Sequence, residues 1–182
     1  MSDETENTGS GKPGARFAIY RATEALNYAE HDVMTMDAIT PVVAEGLGHF
    51  QGTGNGDGQL VRLLFAAPGF SLTHVWFKSG YPLPLHSHNS DCLYYIVAGS
   101  LQVGRETLGV GDGFFIRRDV AYTYEPGPQG VEVLEFRNTD KFNIRFRSDS
   151  KTVWEQAAAM LAAHREVWTR EPPPSQASAA SG

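Results

Sequence analysis

The residues of this sequence best suited to chemistry lie between Gly80 and Gly99, in the run GYPLPLHSHNSDCLYYIVAG. Pro82 and Pro84 stiffen an extended approach to His86 and His88. Side chains two apart on extended chain point to the same side, so the two imidazoles project into one space. Neutral imidazole nitrogens that share a cavity can bind one metal ion. The competing reading of HSHNSD is a polar turn with two solvated histidines, and the pair by itself does not decide between the two.

The elements that must position these rings read as short strands broken by Gly and Pro. The segments are 59–66, 70–78, 92–98, 100–104, 113–117, 121–125, 131–137 and 141–147. So many short strands at close spacing predict a sandwich or barrel. The last alternates cleanly, with Phe142, Ile144 and Phe146 on one face and Asn143, Arg145 and Arg147 on the other, the pattern of a half-buried strand. Arg145 and Arg147 therefore read as a solvated outer face, with anion binding the lesser alternative. Near the end, Thr152 and Glu155 form a capping-box pattern. Val153, Ala157, Met160, Leu161, His164 and Trp168 then follow helical spacing, which predicts a helix over about 153–170. The Gly-rich stretch 46–58 resembles a phosphate loop only superficially, because it leads into a strand and not a helix. It is expected to be a surface loop.

Residues 1–14 are polar and acidic with nothing to bury, so a disordered tail is expected. A second is expected over 171–182, where the triplet Pro172–Pro174 blocks a continuing helix. Between them, residues 15–170 make one domain, with a barrel core at about 59–147 and an N-terminal extension that can cover the strand at 92–98, which is apolar on both faces.

The framework around the histidines resembles the cupin superfamily. Gly80, five residues, His86-Ser87-His88, three residues, Cys92, six residues and Gly99 match the first cupin motif except that Cys92 stands at its Glu. The run Gly111 to Tyr122 has the length of the second motif, with Arg117, Asp119 and Tyr122 where the family has Pro, Gly and His. The resemblance implies an all-β fold, a double-stranded β-helix or jelly-roll barrel with the site inside, an N-terminal extension and one C-terminal α-helix. It implies one divalent transition metal on His86 and His88, with Cys92 and Tyr122 or with Tyr122 alone as further ligands, and a Cys92 thiolate would bias the site toward iron, zinc or copper. Cys92 reads equally as a small buried hydrophobe, and Tyr122 as a barrel-lining aromatic. Asp91, one residue early, would face away from Cys92 on a regular strand.

Tyr122 and Cys92 are the candidate catalytic groups, Tyr122 as ligand or general acid/base. Counting alternate residues from Cys92 and Tyr122 places Tyr94 and Tyr124 on the walls of a substrate pocket suited to a small aromatic or carbonyl compound. The leading expectation is a metal-dependent enzyme acting on a small organic molecule, with a lean to oxidoreductase chemistry of the dioxygenase type. The alternatives are a cupin isomerase or lyase, a non-catalytic metal- or small-molecule-binding cupin, and a barrel whose site has decayed.

Composition bounds the rest. The 182 residues carry a net charge of −6, which argues against a nucleic-acid partner. The single cysteine, Cys92, excludes an internal disulfide. An acidic N-terminus without an apolar core is not a secretory signal, and no apolar run reaches the ~18 residues of a membrane span. A cytoplasmic setting without membrane partners is expected. Jelly-roll proteins of this size often pair through barrel edges, so a homodimer is expected as well.

Overall fold

The structure is a computed structural model that describes residues 16–25 and 27–179. The expected tail at 1–14 and the last residues, 180–182, lie outside that set. Along the described chain come β1 (Met34–Met36), α1 (Pro41–Gly52), β2 (Gln59–Ala67), β3 (Phe70–Phe77), β4 (His86–Ser87) and β5 (Cys92–Val103). There follow β6 (Glu106–Leu108), β7 (Gly113–Ile116), β8 (Glu125–Arg137), β9 (Phe142–Phe146), α2 (Lys151–Trp168) and α3 (Pro174–Ala179).

Alternation along β5 organises the molecule. Cys92, Tyr94, Ile96 and Ala98 turn inward and are buried, while Leu93, Tyr95 and Val97 turn outward and stay exposed. Within one chain, the described part of the extension over 17–44 leaves this outer face exposed, and cover by the same segment of a partner chain is the other expectation. The extension packs elsewhere, with Tyr20 against Phe65 and β1 beside β9. The segments 92–98 and 100–104 join into one strand because two register irregularities let it bend through Gly99 without breaking. Gly99 has φ +76°, and a Cβ there would sit 2.2 Å from the Gly130 carbonyl oxygen. Only glycine fits that bend.

One sheet runs β2-β3-β8-β5-β6, with β7 also paired to β5. The other runs β1-β9-β4, with β1 parallel and β4 antiparallel to β9. The inner faces of the two sheets enclose the core, the arrangement of a jelly roll. The expected strand over 121–125 is not formed. There, Tyr122 makes a single bridge to His86, and regular pairing resumes at Glu125.

The helices depart most from the sequence reading. Residues 41–52 are helical, so the stretch 46–58 is not a surface loop. Thr40 caps the helix by accepting from the Val43 N–H at 3.2 Å, Pro41 opens it, and a 3-10 turn over Asn55–Gly58 follows. Val43, Leu47 and Phe50 form its buried face. The glycines serve close packing here, for a Cβ on Gly46 would lie 2.2 Å from Trp154 Cγ. In α2 the expected face is rotated. Trp154, Ala158, Leu161 and Trp168 are buried, whereas Val153 and Met160 are exposed. The helix begins at Lys151, one residue before Thr152, after Ser150, which makes no side-chain cap. Both indoles anchor it, donating to the Ser148 and Ser79 carbonyls at 3.0 and 2.9 Å. The C-terminal tail is likewise more ordered than expected. The proline triplet ends one helix but Pro174 opens another, α3, whose Ser175 N–H donates to Glu132 at 2.8 Å. No helix among the described residues is long and apolar enough to cross a membrane.

The α1–α2 contact yields a test. Gly46→Ala should lower stability by roughly 1–3 kcal/mol through overpacking against Trp154, read as a shift in urea midpoint. An unchanged midpoint would show that the two helices have slack this packing denies.

Candidate functional site

Local structure turns both motif histidines inward. His86 and Tyr122 exchange backbone bonds, His86 N to Tyr122 O at 3.1 Å and Tyr122 N to His86 O at 2.9 Å. The His88 carbonyl accepts from Asp119 N at 2.7 Å. Asp119 has φ +65°, the left-handed conformation that glycine takes most readily and that Asp tolerates better than most residues. The second-motif segment is thereby clipped to the histidine strand despite its changed residues.

Both rings are buried, with centroids 5.0 Å apart. His86 Nδ1 lies 2.7 Å from the Pro84 carbonyl, and His88 Nδ1 2.5 Å from the Asn143 carbonyl. A carbonyl oxygen only accepts, so each Nδ1 carries the proton and each Nε2 carries the lone pair. Burial disfavours the charged form of both rings. For His88 burial, the Arg137 guanidinium and His86 together push the pKa down to about 2. Two neutral imidazoles with defined tautomers are the result.

They line a cavity of about 530 Å³ between the sheets, with Leu47 and Phe50 of α1 also in its wall. Tyr122 and Tyr124 line it, as expected. Tyr94 does not. It lies behind Tyr122, hydroxyl to hydroxyl, with its ring stacked on Phe114. Cys92 faces inward on β5 but is not part of the cavity wall. Burial pushes its thiol up to about 12, so it is a neutral, small, buried group. Asp91 accepts from Arg118 N at 2.8 Å in the outer loop. Arg145 and Arg147 stay on the outer face, paired with Asp37 at 2.6 Å and with Ser87 at 2.9 Å.

The sequence reading missed the cavity's charged pair. Arg137 Nη1 donates to Glu135 Oε2 at 2.5 Å, and both residues line the cavity. The signal was present in VEVLEFR. Val131 and Val133 are buried on the inner face of β8, and a period of two carries Glu135 and Arg137 to the same side. Arg137 also lies 4.3 Å over the Phe142 ring.

Among the described residues, no three His, Cys, Asp or Glu side chains come together as a group that could hold a metal ion. Cys92 is not among the residues that line the cavity with His86 and His88. Tyr122 is close, its ring 4.5 Å from that of His86, but its hydroxyl is engaged by Tyr94. Burial, with the Glu135 charge, holds its phenol well above the ordinary value. Among the described residues of this wall, the two imidazole Nε2 atoms would be the donors for a divalent ion, and their tautomer and neutral charge suit one.

Arg137→Met would strand the Glu135 carboxylate in the interior. It should cost about 3–5 kcal/mol of stability, and adding Glu135→Gln should restore most of it in the same denaturation assay. Cys92 should resist iodoacetamide at neutral pH in the folded protein and react fully once unfolded. Rapid labelling of native protein would place the thiol nearer the surface than its burial allows.

No family model matches the chain, and no curated protein does. Among solved structures it is similar to an RmlC-like cupin from Shewanella frigidimarina NCIMB 400, at 23% identity over 46% of this chain and 78% of that one, TM-score 0.41. It is also similar to the polyketide cyclase RemF from Streptomyces resistomycificus, at 20% identity over 58% and 82%, TM-score 0.49. A further likeness is to an RmlC-like cupin from Ralstonia eutropha JMP134, at 13% identity over 67% and 68%, TM-score 0.45. With its two sheets face to face and the histidine strand turned into the space between them, the chain has a jelly-roll fold.

Proposed function

We propose that the protein is a metal-dependent enzyme of the cupin class, acting on a small organic molecule inside the barrel, with one divalent transition metal on His86 and His88. The observation that carries this reading is the pair of Nδ1 contacts to the Pro84 and Asn143 carbonyls. Metal-ligating histidines usually give their second ring nitrogen to such a partner, which sets ring orientation and leaves Nε2 to the ion. Burial adds to this by keeping both rings in the neutral form that coordinates. Rings so reluctant to take a proton are poor general bases, so coordination is the better use of their lone pairs. An all-imidazole donor set suits iron, zinc or copper more than magnesium or calcium.

A bound metal would supply Lewis acidity or, if iron, activation of oxygen. The chain's own residues do the rest. Phe50, Phe77 and Phe146 keep the cavity apolar and help exclude water. Tyr122 keeps its proton at neutral pH and presents its ring beside His86. A substrate oxygen that displaces the Tyr94 contact would meet it as a hydrogen-bond donor.

Dioxygenase-type chemistry remains the lean for the reaction. A cupin lyase or isomerase is the second reading, favoured by the neutral phenol of Tyr122 beside the imidazoles, since those reactions need a proton donor and no oxidant. Elemental analysis of wild type beside a His86→Ala/His88→Ala variant tests the metal. About one equivalent should be present in the first and lost in the second. Oxygen uptake with phenols and diketones then separates oxygenase from lyase or isomerase. Wild type that takes up no transition metal on challenge would sink the reading.

A further inference from the structure

The metal reading leaves the chemistry of Arg137 unused. Its side chain is 2% exposed, yet the residue lines the cavity. Nη1 is satisfied by Glu135 at 2.5 Å, Nη2 reaches the Tyr94 hydroxyl only at 3.4 Å, and Nε is buried without a hydrogen-bond partner among the described residues. A guanidinium offers five donors in one rigid plane, and buried donors that meet no acceptor are uncommon. The Phe142 ring, 4.3 Å away, supports the group against one face. The residue is held in place with donor capacity to spare.

The surroundings narrow what would use that capacity. Val75, Phe77, Ile144 and Phe146 give the cavity an apolar wall, so the body of a ligand is apolar. A planar group with two oxygens matches the guanidinium fork. Glu135, already against one side of the guanidinium, repels a second negative charge and disfavours dianions such as dicarboxylates or phosphate esters.

We propose that the cavity takes an apolar organic monocarboxylate and that Arg137 is the residue that recognises its carboxylate. The proposal rests on the metal reading in one respect. Glu135 already balances Arg137, so a divalent ion on His86 and His88 would supply the charge that offsets the incoming anion.

The test uses monocarboxylates of increasing size (acetate, hexanoate, phenylacetate and naphthoate), each beside its amide, titrated calorimetrically into wild type, Arg137→Lys and the Glu135→Gln/Arg137→Met double variant. Metal content and circular dichroism are measured on every preparation. In wild type at least one of the larger acids should bind on the order of tenfold more tightly than its amide. The double variant, folded and with unchanged metal content, should lose that preference. Arg137→Lys should keep only part of it, because an ammonium has no fork. In metal-stripped wild type, binding should weaken while the acid-over-amide preference stays dependent on Arg137. The proposal is overturned if wild type binds none of the acids, binds acid and amide alike, or if the folded double variant keeps the preference. Protein that takes up no metal but still prefers the acid through Arg137 sinks the metal reading alone. Metal-loaded protein without the preference sinks this proposal alone.

Discussion

A buried imidazole has to give its N–H to something, and the geometry of this cavity follows from what His88 gives its proton to. The acceptor is the main-chain carbonyl of Asn143 on β9. That residue is tied in from several sides. Its N–H donates to Asn89 Oδ1 at 2.9 Å, its Oδ1 accepts from Asn89 N at 2.8 Å, and its Nδ2 donates to Asp37 at 2.7 Å. Asp37 in turn takes the Arg145 guanidinium, and hydrogen bonds from Arg145 and Asn143 hold its carboxyl below the ordinary range. One ring orientation inside is thus fixed by polar bonds reaching to the outer face of β9. The same strand presents Phe142, Ile144 and Phe146 to the cavity, so it sets both the apolar wall and the position of the histidine.

This explains why the histidine pair was legible in the sequence and the rest of the donor set was not. Period-two alternation is a local property of a strand, and it places His86 with His88 and Phe142 with Phe146 without knowledge of the partner strand. Whether Cys92 reaches the same cavity depends on depth, on where along the inner face of β5 the thiol falls relative to β4. A match in motif spacing says which face a residue takes and leaves its depth open. Tyr94 shows the same limit, since it has the right parity but sits behind Tyr122. Glu135 and Arg137 went unread for a different reason. Charges at the end of a strand ordinarily mark its emergence into solvent, and only the pairing of β8 between β3 and β5 keeps these two inside.

The helices were misread through glycine. In 46–58 its frequency suggested a loop, although Val43, Leu47 and Phe50 lie at helical spacing immediately upstream and within it. Glycine disfavours an isolated helix by about 1 kcal/mol per residue. That penalty is overridden where a second helix brings an indole to within contact of the backbone, as Trp154 does at Gly46. In α2 the apolar positions admitted two faces, and large aromatic side chains decided between them. Trp154 and Trp168 bury far more surface than Val153 and Met160.

Arg137 connects these levels. It sits on the longest strand of the main sheet and is compensated by Glu135 across a single turn of the pleat. Its field is the second cause of His88's low basicity. A positive neighbour disfavours protonation of His88. Glu135 acts in the opposite sense on His86, where its charge favours protonation while burial prevails against it. The pair thus biases the two imidazoles unequally, with His88 the firmer neutral donor. An interior ion pair is seldom retained for stability, because apolar residues of similar size often serve as well or better. Its presence beside two neutral imidazoles and a protonated phenol points to what the cavity binds.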